Sequence, residues 1–366
     1  MLKRIEQVRK LMKEKHTVSF LISNHFNIFY LTGFIGLAPT EREGFLFITD
    51  KSIYFFTDNR YLSKDLNNKL KNIGAILKLI EPGNSLLDHL KNIIKIENIL
   101  EVEFESSDLT YAEYERIVTT LGSISFKSSQ IHIQSIRAIK TTEEVELIRE
   151  ACLQSDKCLR EISPLIRVGM TERELAFKME MWIKEKGFAL SFDPIVACDE
   201  NSAIAHYDTR SGNGVFKKES VILIDFGISY KHYLSDITRM YSIGKPSDEY
   251  IYAYETLLRA QLETLNSLKM ERDPKVVDKI PRAVLEHSGL PNFAHSTGHG
   301  VGLEIHEFPK LSIYAPDILQ TGHIVTVEPG VYISGKFGIR IEDTVHISSS
   351  SEIDILTQTS KEMAIL

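Results

Sequence analysis

VILIDFGISYKHYLSDITRM, residues 221–240, contains two aspartates that lie eleven positions apart, Asp225 and Asp236. Its first part is an apolar run that ends in an acid, which is typical of a buried strand with a carboxylate at its edge. A charge in that place is costly unless a cation or hydrogen bonds neutralise it. The intervening residues are enough for a hairpin or a bent strand that brings both acids to one site. Either aspartate alone is explained more simply as a turn residue, because aspartate is common in turns.

Three later stretches contain further candidate metal ligands. STGHGVGLEIHE contains His299, VEPGVY contains Glu328 and GIRIEDT contains Glu342. Together with the two aspartates they form a set of four carboxylates and one imidazole, which is more negative charge than one divalent ion requires. The set therefore predicts two adjacent metal ions. Oxygen and nitrogen ligands without thiolates suit Mn²⁺, and Co²⁺ and Zn²⁺ fit as well.

Histidines are concentrated around His299. His295, His299 and His306 lie within twelve residues and alternate with three glycines. The four-residue step from His295 to His299 would suit a zinc-binding helix, but alternating glycines disfavour a helix. A nucleotide-binding loop is only weakly indicated, because the dinucleotide spacing is absent. We expect that these glycines let the backbone approach a metal or a substrate closely.

Composition excludes several classes of function. The chain has 366 residues, of which 43% are apolar and 25% charged, a balance that predicts soluble globular domains with a substantial core. A formal charge of -7 argues against a nucleic-acid partner. Three cysteines without a CxxC pair indicate a reducing compartment, and MLKRIEQVRKLMKEK predicts an amphipathic helix and not a signal peptide. No apolar run reaches the roughly 20 residues that span a bilayer, so we expect a cytoplasmic protein without a membrane partner.

The first third of the chain interleaves strand-like and helical stretches. The strand-like segments are TVSFLIS (17–23), GFLFITD (44–50) and SIYFFTD (52–58), and the helical ones are residues 61–72, 85–97 and 108–121. This alternation predicts an α/β domain with a mixed sheet. A polar passage near residues 130–138 separates it from the rest of the chain. We therefore predict a first domain over residues 1–132 and a second over residues 138–366.

The second domain begins with helices and ends with strands. Helical periodicity covers about 142–163, the stretch after the expected N-cap Thr171, and residues 248–269 and 274–288. Strand-like pieces occur at residues 193–200 and 220–230, and residues 295–348 are rich in β-forming residues. This order predicts an α+β domain.

These stretches together resemble the pita-bread metallopeptidase family, which includes methionine aminopeptidase, aminopeptidase P and prolidase. The resemblance covers the whole second domain through the ordered series Asp, Asp, His, Glu, Glu. NHFNIFYLTGF (24–34) and YFFTDNRYL (54–62) are similar to the amino-terminal domain of the proline-specific branch, which methionine aminopeptidases usually lack. The resemblance implies an amino-terminal creatinase-like α/β domain followed by an α+β pita-bread catalytic domain.

The resemblance also assigns roles to the candidate ligands. It implies that Asp225 chelates one metal ion, that Asp236 and Glu342 bridge both ions, and that His299 and Glu328 hold the second. Two such ions would lower the pKa of a shared water, so that hydroxide attacks the scissile carbonyl near neutral pH. Glu328 is expected to carry the proton from this water to the leaving nitrogen.

Further site residues follow from matches to the proline-specific branch. His206 lies in ENSAIAHY, His306 follows the metal-binding histidine by seven residues and His295 precedes it by four. His206 and His306 are predicted catalytic residues that also bind substrate, and His295, Tyr207 and Arg340 are predicted to bind substrate. Tyr332 and Arg340 match positions that support the metal ligands in aminopeptidase P.

The resemblance leaves two activities open. Tyr207 is similar to aminopeptidase P, whereas many prolidases have glycine there, so we predict an Xaa-Pro aminopeptidase that acts on peptides with proline in the second position. Xaa-Pro dipeptidase is the alternative, and Ala205, where many relatives have proline, leaves the shape of the subsite open. A non-catalytic scaffold or a metal-free creatinase-like hydrolase would lack the ligand set. The resemblance also implies a homodimer.

Overall fold

A computed structural model describes residues 1–38, 41–122 and 124–366. These residues form two compact units, Met1–Ile136 and Arg137–Leu366. Within the described ranges, no helix combines the length and the apolar character that crossing a membrane requires.

The first unit is an α/β structure with helices around one sheet. Its helices, with α6 running into the second unit, are α1 Leu2–Glu14, α2 His25–Thr32, α3 Lys64–Asn72, α4 Leu86–Glu97, α5 Tyr111–Leu121 and α6 Ile133–Ala138. Its strands are β1 Ser19–Ile22, β2 Gly44–Thr49, β3 Ile53–Thr57, β4 Ala75–Leu79, β5 Glu101–Phe104 and β6 Ser125–Ser128. The strand order is β4-β3-β2-β1-β5-β6.

The sheet of the first unit is mixed, as predicted. Strands β1, β2 and β3 pair antiparallel, whereas β4 pairs parallel with β3, and β5 pairs parallel with both β1 and β6. All residues of β2 and β3 are buried, because the sheet packs within a core rich in phenylalanine. The predicted helices exist, and side-chain caps decide where they begin. Ser63 and Thr110 accept hydrogen bonds from the first turns of α3 and α5, so these helices start later than predicted.

The second unit is an α+β structure. Its helices are α7 Thr142–Ile162, α8 Glu172–Glu185, α9 Asp248–Ser267 and α10 Pro274–His287. Its strands are β7 Ala189–Leu190, β8 Ile195–Cys198, β9 Val221–Phe226, β10 Ile228–Tyr230, β11 Tyr233–Leu234, β12 Ile237–Ser242, β13 Gly298–Gly300, β14 Glu307–Leu311, β15 Ile324–Val327, β16 Gly330–Ile333, β17 Phe337–Arg340, β18 Asp343–Ile347, β19 Ile353–Ile355 and β20 Ala364–Ile365.

The candidate ligands lie in or next to the strands of two of its sheets. One has the order β20-β12-β9-β8 and the other the order β14-β13-β15-β18-β19, with two smaller sheets beside them. The predicted cap Thr171 is confirmed, because its side chain accepts from the Glu174 N–H in a capping box. Helix α7 begins at Thr142, as predicted, and Thr141 caps it. The passage near 130–138 contains the short helix α6, which was not predicted.

Candidate active site

The two aspartates come together because β9 and β12 pair antiparallel. Asp225 lies opposite Thr238, and Asp236 immediately precedes β12. The chain between them forms β10 and β11 and passes close to itself at Gly227, where a Cβ atom would lie 1.8 Å from the carbonyl oxygen of Ser235. Both carboxylates are buried, with 8% and 5% of their residue surface exposed. The predicted hairpin therefore delivers both acids to one buried position.

His299 and Glu328 belong to neighbouring parts of the second sheet. His299 is the middle residue of β13, and its N–H donates to the Thr326 hydroxyl oxygen at 3.0 Å. The same hydroxyl donates to Glu328 Oε1 at 3.0 Å, just beyond the end of β15. Thr326 thus holds the backbone of one candidate ligand and the side chain of the other.

Glu342 lies in the break between β17 and β18. The Thr238 hydroxyl donates to Glu342 Oε2 at 2.6 Å and accepts from Arg340 Nε at 3.1 Å. Thr238 is also the strand partner of Asp225. Thr238 in β12 therefore links its sheet to the residue that precedes β18, and it orients the Glu342 carboxylate.

The candidate ligand atoms are close enough to share a cation. Asp236, His299 and Glu342 each offer one ligand atom, and these atoms lie within 4.8 Å of one another. His299 Nε2 is 3.7 Å from Asp236 Oδ2 and 3.1 Å from Glu328 Oε1. Asp225 and Glu328 line the same cavity.

Two buried carboxylate oxygens lack a hydrogen-bond donor within the described part of the protein. Among the described residues, Asp225 Oδ1 and Glu342 Oε1 are buried without a hydrogen-bond donor. Leaving a buried acceptor unsatisfied costs free energy, and a buried charged one costs more. A divalent cation would satisfy both oxygens, so the donor set fits a metal centre.

The pKa directions also indicate a shortage of positive charge. Burial and the neighbouring carboxylates raise the pKa values of Asp236 and Glu342 well above their ordinary range. Burial raises the pKa of Asp225 as well, although Arg340 opposes the rise. Burial raises the pKa of Glu328, but the hydrogen bond from His299 and its charge lower it by more, so that the pKa is about 2. Without a cation, Asp236 and Glu342 therefore hold their protons more tightly than free carboxyl groups do, as expected where buried negative charge lacks a positive partner.

The glycines around His299 lie in close contact with neighbouring protein segments. A Cβ atom on Gly298 would lie 1.9 Å from the Thr326 carbonyl oxygen, and one on Gly300 would lie 2.3 Å from that of Phe308. On Gly302 it would lie 2.2 Å from the Glu307 carboxylate. These glycines permit close packing of protein against protein, and their nearest neighbours are not the ligand atoms.

A cavity of about 400 Å³ collects the predicted site residues. Its walls include all five candidate ligands and also His206, His295, His306 and Arg340. Phe192 and Ile195 provide apolar surface, and Lys310 provides an ammonium group. The predicted catalytic histidines therefore lie in the same cavity as the acid cluster.

His295 is held as a neutral imidazole. Its Nδ1 is 2.8 Å from the carbonyl oxygen of Ser296, which can only accept, so Nδ1 carries the proton. Arg340 donates to the Tyr332 hydroxyl oxygen at 2.8 Å, which leaves that hydroxyl free to donate to His295 Nε2 at 3.0 Å. Burial lowers the pKa of His295. Both ring nitrogens are occupied, so His295 offers the cavity the rest of its ring and not a nitrogen.

Tyr207 does not line the cavity, contrary to its predicted role in substrate binding. Its hydroxyl donates to Glu172 Oε2 at 2.8 Å and accepts from Asn201 Nδ2 at 2.9 Å. The residue before it, His206, does line the cavity. The side chain of His206 therefore faces the cavity, whereas that of Tyr207 faces Glu172.

Three site residues escaped the sequence reasoning. Thr238 and Thr326 hold candidate ligands, and Lys310 lies directly opposite His299 in the pairing of β13 with β14. The local sequence EFPKL gave no signal for Lys310, because burial in this strand runs against hydropathy, with Glu307 buried and Phe308 exposed. The pairing of this strand with the histidine strand could not be read from the local pattern.

The fold and the donor set define a metalloenzyme, and comparison with known proteins identifies its family. Residues 146–349 match the family described as Metallopeptidase family M24, and residues 4–139 match the Creatinase/Prolidase N-terminal domain. The chain belongs to metallopeptidase family M24. The predicted pita-bread fold and the resemblance to the proline-specific branch are thereby confirmed.

Similar proteins cover the whole chain. The Xaa-Pro dipeptidase of Pyrococcus furiosus is 33% identical over 99% of this chain and 100% of its own length. The structure of an Xaa-Pro dipeptidase from Bacillus anthracis matches with a TM-score of 0.90 and 32% identity over 100% of this chain and 99% of that one. The X-Pro aminopeptidase structure from Thermotoga maritima matches with a TM-score of 0.86 and 30% identity over 99% of both chains.

Proposed function

We propose that the protein is a metal-dependent Xaa-Pro dipeptidase, which hydrolyses the bond before a carboxy-terminal proline. The observation that carries this proposal is the convergence of Asp236, His299 and Glu342 within 4.8 Å in a cavity that has unpartnered carboxylate oxygens. The Pyrococcus furiosus and Bacillus anthracis relatives support the substrate class.

The dipeptidase is preferred to the aminopeptidase predicted from the sequence. That prediction depended on Tyr207, whose hydroxyl group binds Glu172 and Asn201 and not the cavity. The names of the relatives also favour a dipeptidase, although the Thermotoga maritima protein keeps the aminopeptidase as the second candidate.

The charge of the cavity supports a substrate with a free carboxylate close to the scissile bond. Lys310 lines the cavity and forms no ion pair among the described residues. The other lining cation, Arg340, is already bonded to Asp225, Thr238 and Tyr332. A dipeptide differs from a longer peptide by the carboxylate on its proline, which an ammonium group binds well.

The metal centre would use the five residues that the sequence indicated. Asp225, Asp236, His299, Glu328 and Glu342 would hold two divalent ions, and their oxygen and nitrogen donors suit Mn²⁺. When bound, such ions lower the pKa of water and polarise the scissile carbonyl group. Thr326 and Thr238 keep Glu328 and Glu342 in place through their hydroxyl groups.

Protein groups would supply the proton transfers and the oxyanion contacts. Glu328 would accept the proton from water and pass it to the leaving nitrogen. His306 stacks edge-on against His299 with ring centroids 4.4 Å apart. Burial lowers the pKa of His306, so it would donate an N–H as a neutral imidazole. His206 would provide a second donor to the carbonyl oxygen.

Proline would be recognised by shape. The bond before proline has no N–H, so a site cannot select it by a hydrogen bond to that nitrogen. Phe192, Ile195 and the ring of His295 give the cavity apolar walls that would contact the pyrrolidine ring.

Hydrolysis of matched peptides tests this function. The Mn²⁺-loaded protein should cleave Leu-Pro, spare Leu-Ala, and cleave Leu-Pro-Gly at least roughly tenfold more slowly, because the carboxylate contact is lost. Faster cleavage of Leu-Pro-Gly would establish the aminopeptidase instead. Absence of cleavage of both proline peptides would contradict both activities.

A further inference from the structure

Glu172, at the start of α8, is a buried carboxylate outside the metal cluster. None of its surface is exposed, and both of its oxygens are fully used. It accepts hydrogen bonds from Cys198 N at 2.7 Å, Asn201 Nδ2 at 2.9 Å, the Tyr207 hydroxyl at 2.8 Å and Gly214 N at 2.9 Å. All four donors belong to the segment 198–214, which we call the histidine loop because it contains His206.

The loop is shaped around this carboxylate. A Cβ atom on Gly214 would lie 2.4 Å from Glu172 Cδ, and one on Gly212 would lie 2.2 Å from the Tyr207 hydroxyl oxygen. These glycines therefore let the returning half of the loop approach Glu172 and Tyr207 directly. The Glu172 N–H also donates to the Gly214 carbonyl oxygen at 3.1 Å, so the contact is reciprocal.

His206 is fixed from both sides along the chain. Its following residue, Tyr207, donates to Glu172, and the carbonyl oxygen of its preceding residue, Ala205, accepts from Arg340 Nη1 at 3.2 Å. His206 itself is exposed and lines the cavity. A side chain on an exposed loop holds one position only if its backbone is restrained.

We propose that Glu172 and Tyr207 are positioning residues that hold His206 against the substrate. This inference rests on the proposed function, in which His206 contacts the carbonyl oxygen. Neither residue lines the cavity, so both act through the loop. Hydrogen bonds to a charged acceptor are stronger than neutral ones, which makes a buried carboxylate an effective anchor for four donors.

A double-mutant cycle tests this coupling. Tyr207→Phe should lower kcat/KM for Leu-Pro roughly tenfold, because it removes one charge-assisted hydrogen bond from the anchor. His206→Ala should cost roughly a hundredfold, because it removes one donor to the oxyanion. If Tyr207 acts through His206, the double variant should match His206→Ala alone. Losses that multiply would overturn the proposal.

A matched control is available in the first unit. Tyr54 donates to Glu97 Oε1 at 2.6 Å, the same kind of bond between a hydroxyl and a carboxylate. Tyr54→Phe should leave kcat/KM unchanged. Manganese content should be equal in Tyr207→Phe and wild type, because Tyr207 touches no candidate ligand.

Hydrogen–deuterium exchange measures how firmly the histidine loop is held, and it does not depend on catalysis. Tyr207→Phe, and Glu172→Gln if it folds, should accelerate exchange in peptides covering 199–213 and leave α9 and α10 unchanged. Unchanged exchange in the loop of Tyr207→Phe would overturn the proposal, even if activity fell. A wild-type protein that cleaves no Xaa-Pro peptide would defeat the proposed function, and the exchange experiment would still decide whether Glu172 anchors the loop.

Discussion

Arg340 and Asp225 form a buried ion pair that uses only one oxygen of the carboxylate. The guanidinium group donates to Asp225 Oδ2, whereas Oδ1 has no hydrogen-bond partner among the described residues. Arg340 is 3% exposed and also binds Thr238 and Tyr332. The arginine therefore fixes the orientation in which Asp225 offers its second oxygen to the cavity.

Replacing Arg340 should weaken both metal binding and stability. Arg340→Met leaves Asp225 buried without its partner, which costs about 3–5 kcal/mol of unfolding free energy. We expect Mn²⁺ affinity to fall roughly 10- to 100-fold, because the carboxylate loses its support. Calorimetric titration and thermal unfolding measure the two effects. Arg149→Met, which breaks a partly exposed pair with Asp354, is the control and should change neither appreciably. Unchanged Mn²⁺ affinity in Arg340→Met would contradict the supporting role.

Asp236 should be required for full metal loading. We expect the wild type to bind about two Mn²⁺ per chain and Asp236→Ala to bind fewer, with hydrolysis of Leu-Pro abolished. The variant should still fold, because it also relieves the repulsion that raises the pKa of this buried acid. Elemental analysis and circular dichroism measure stoichiometry and fold. Asp317→Ala, at an exposed acid, is the control, and retained activity in Asp236→Ala would exclude a bridging role.

Lys310 should discriminate dipeptides from substrates without a nearby carboxylate. Lys310→Gln should raise KM for Leu-Pro roughly tenfold, because a charge-assisted contact is lost. It should leave KM for the dipeptide amide Leu-Pro-NH₂ nearly unchanged, and Lys310→Arg should retain much of the preference. Steady-state kinetics on both substrates provide the comparison. Equal losses on acid and amide would show that Lys310 does not bind the carboxylate.

Glu105 should make the stability of the protein depend on pH. Burial raises its pKa from 4.5 to about 7, although the N–H groups of Asn24 and Ser23 and the Asn27 amide oppose the rise. Because the folded state holds this proton more tightly than the unfolded state, stability should fall as pH rises from about 4.5 to about 7. The loss is roughly 3 kcal/mol.

The matching experiment compares wild type with Glu105→Gln by urea unfolding at pH 5 and pH 8. The variant cannot ionise, so its stability relative to wild type should increase between these two values. A constant difference between the two proteins would show that Glu105 titrates alike in both states.

Much of the fold followed from local patterns. Helix caps, apolar periodicity and β-branched runs predicted helices α1, α3 to α5 and α7 to α10 and strands β1 to β3, β8 and β9, because each signal lies within a few residues. Helix α2 and strands β4, β5 and β6 were not predicted, and β6 is short with most of its residues exposed. Helix α6 was not predicted either, since its six residues are too few to show a helical period.

The sequence by itself determined which chemistry the protein can perform. Asp225, Asp236, His299, Glu328 and Glu342 were identified by residue type and order, and the structure brings all five to one cavity. Only the tertiary structure decided what surrounds them. The pairing of β13 with β14 sets Lys310 opposite His299, and a hydrogen bond across 35 residues turns Tyr207 away from the cavity toward Glu172. Ligand identity is a local property of side chains, whereas orientation depends on strand register and buried hydrogen bonds between distant segments.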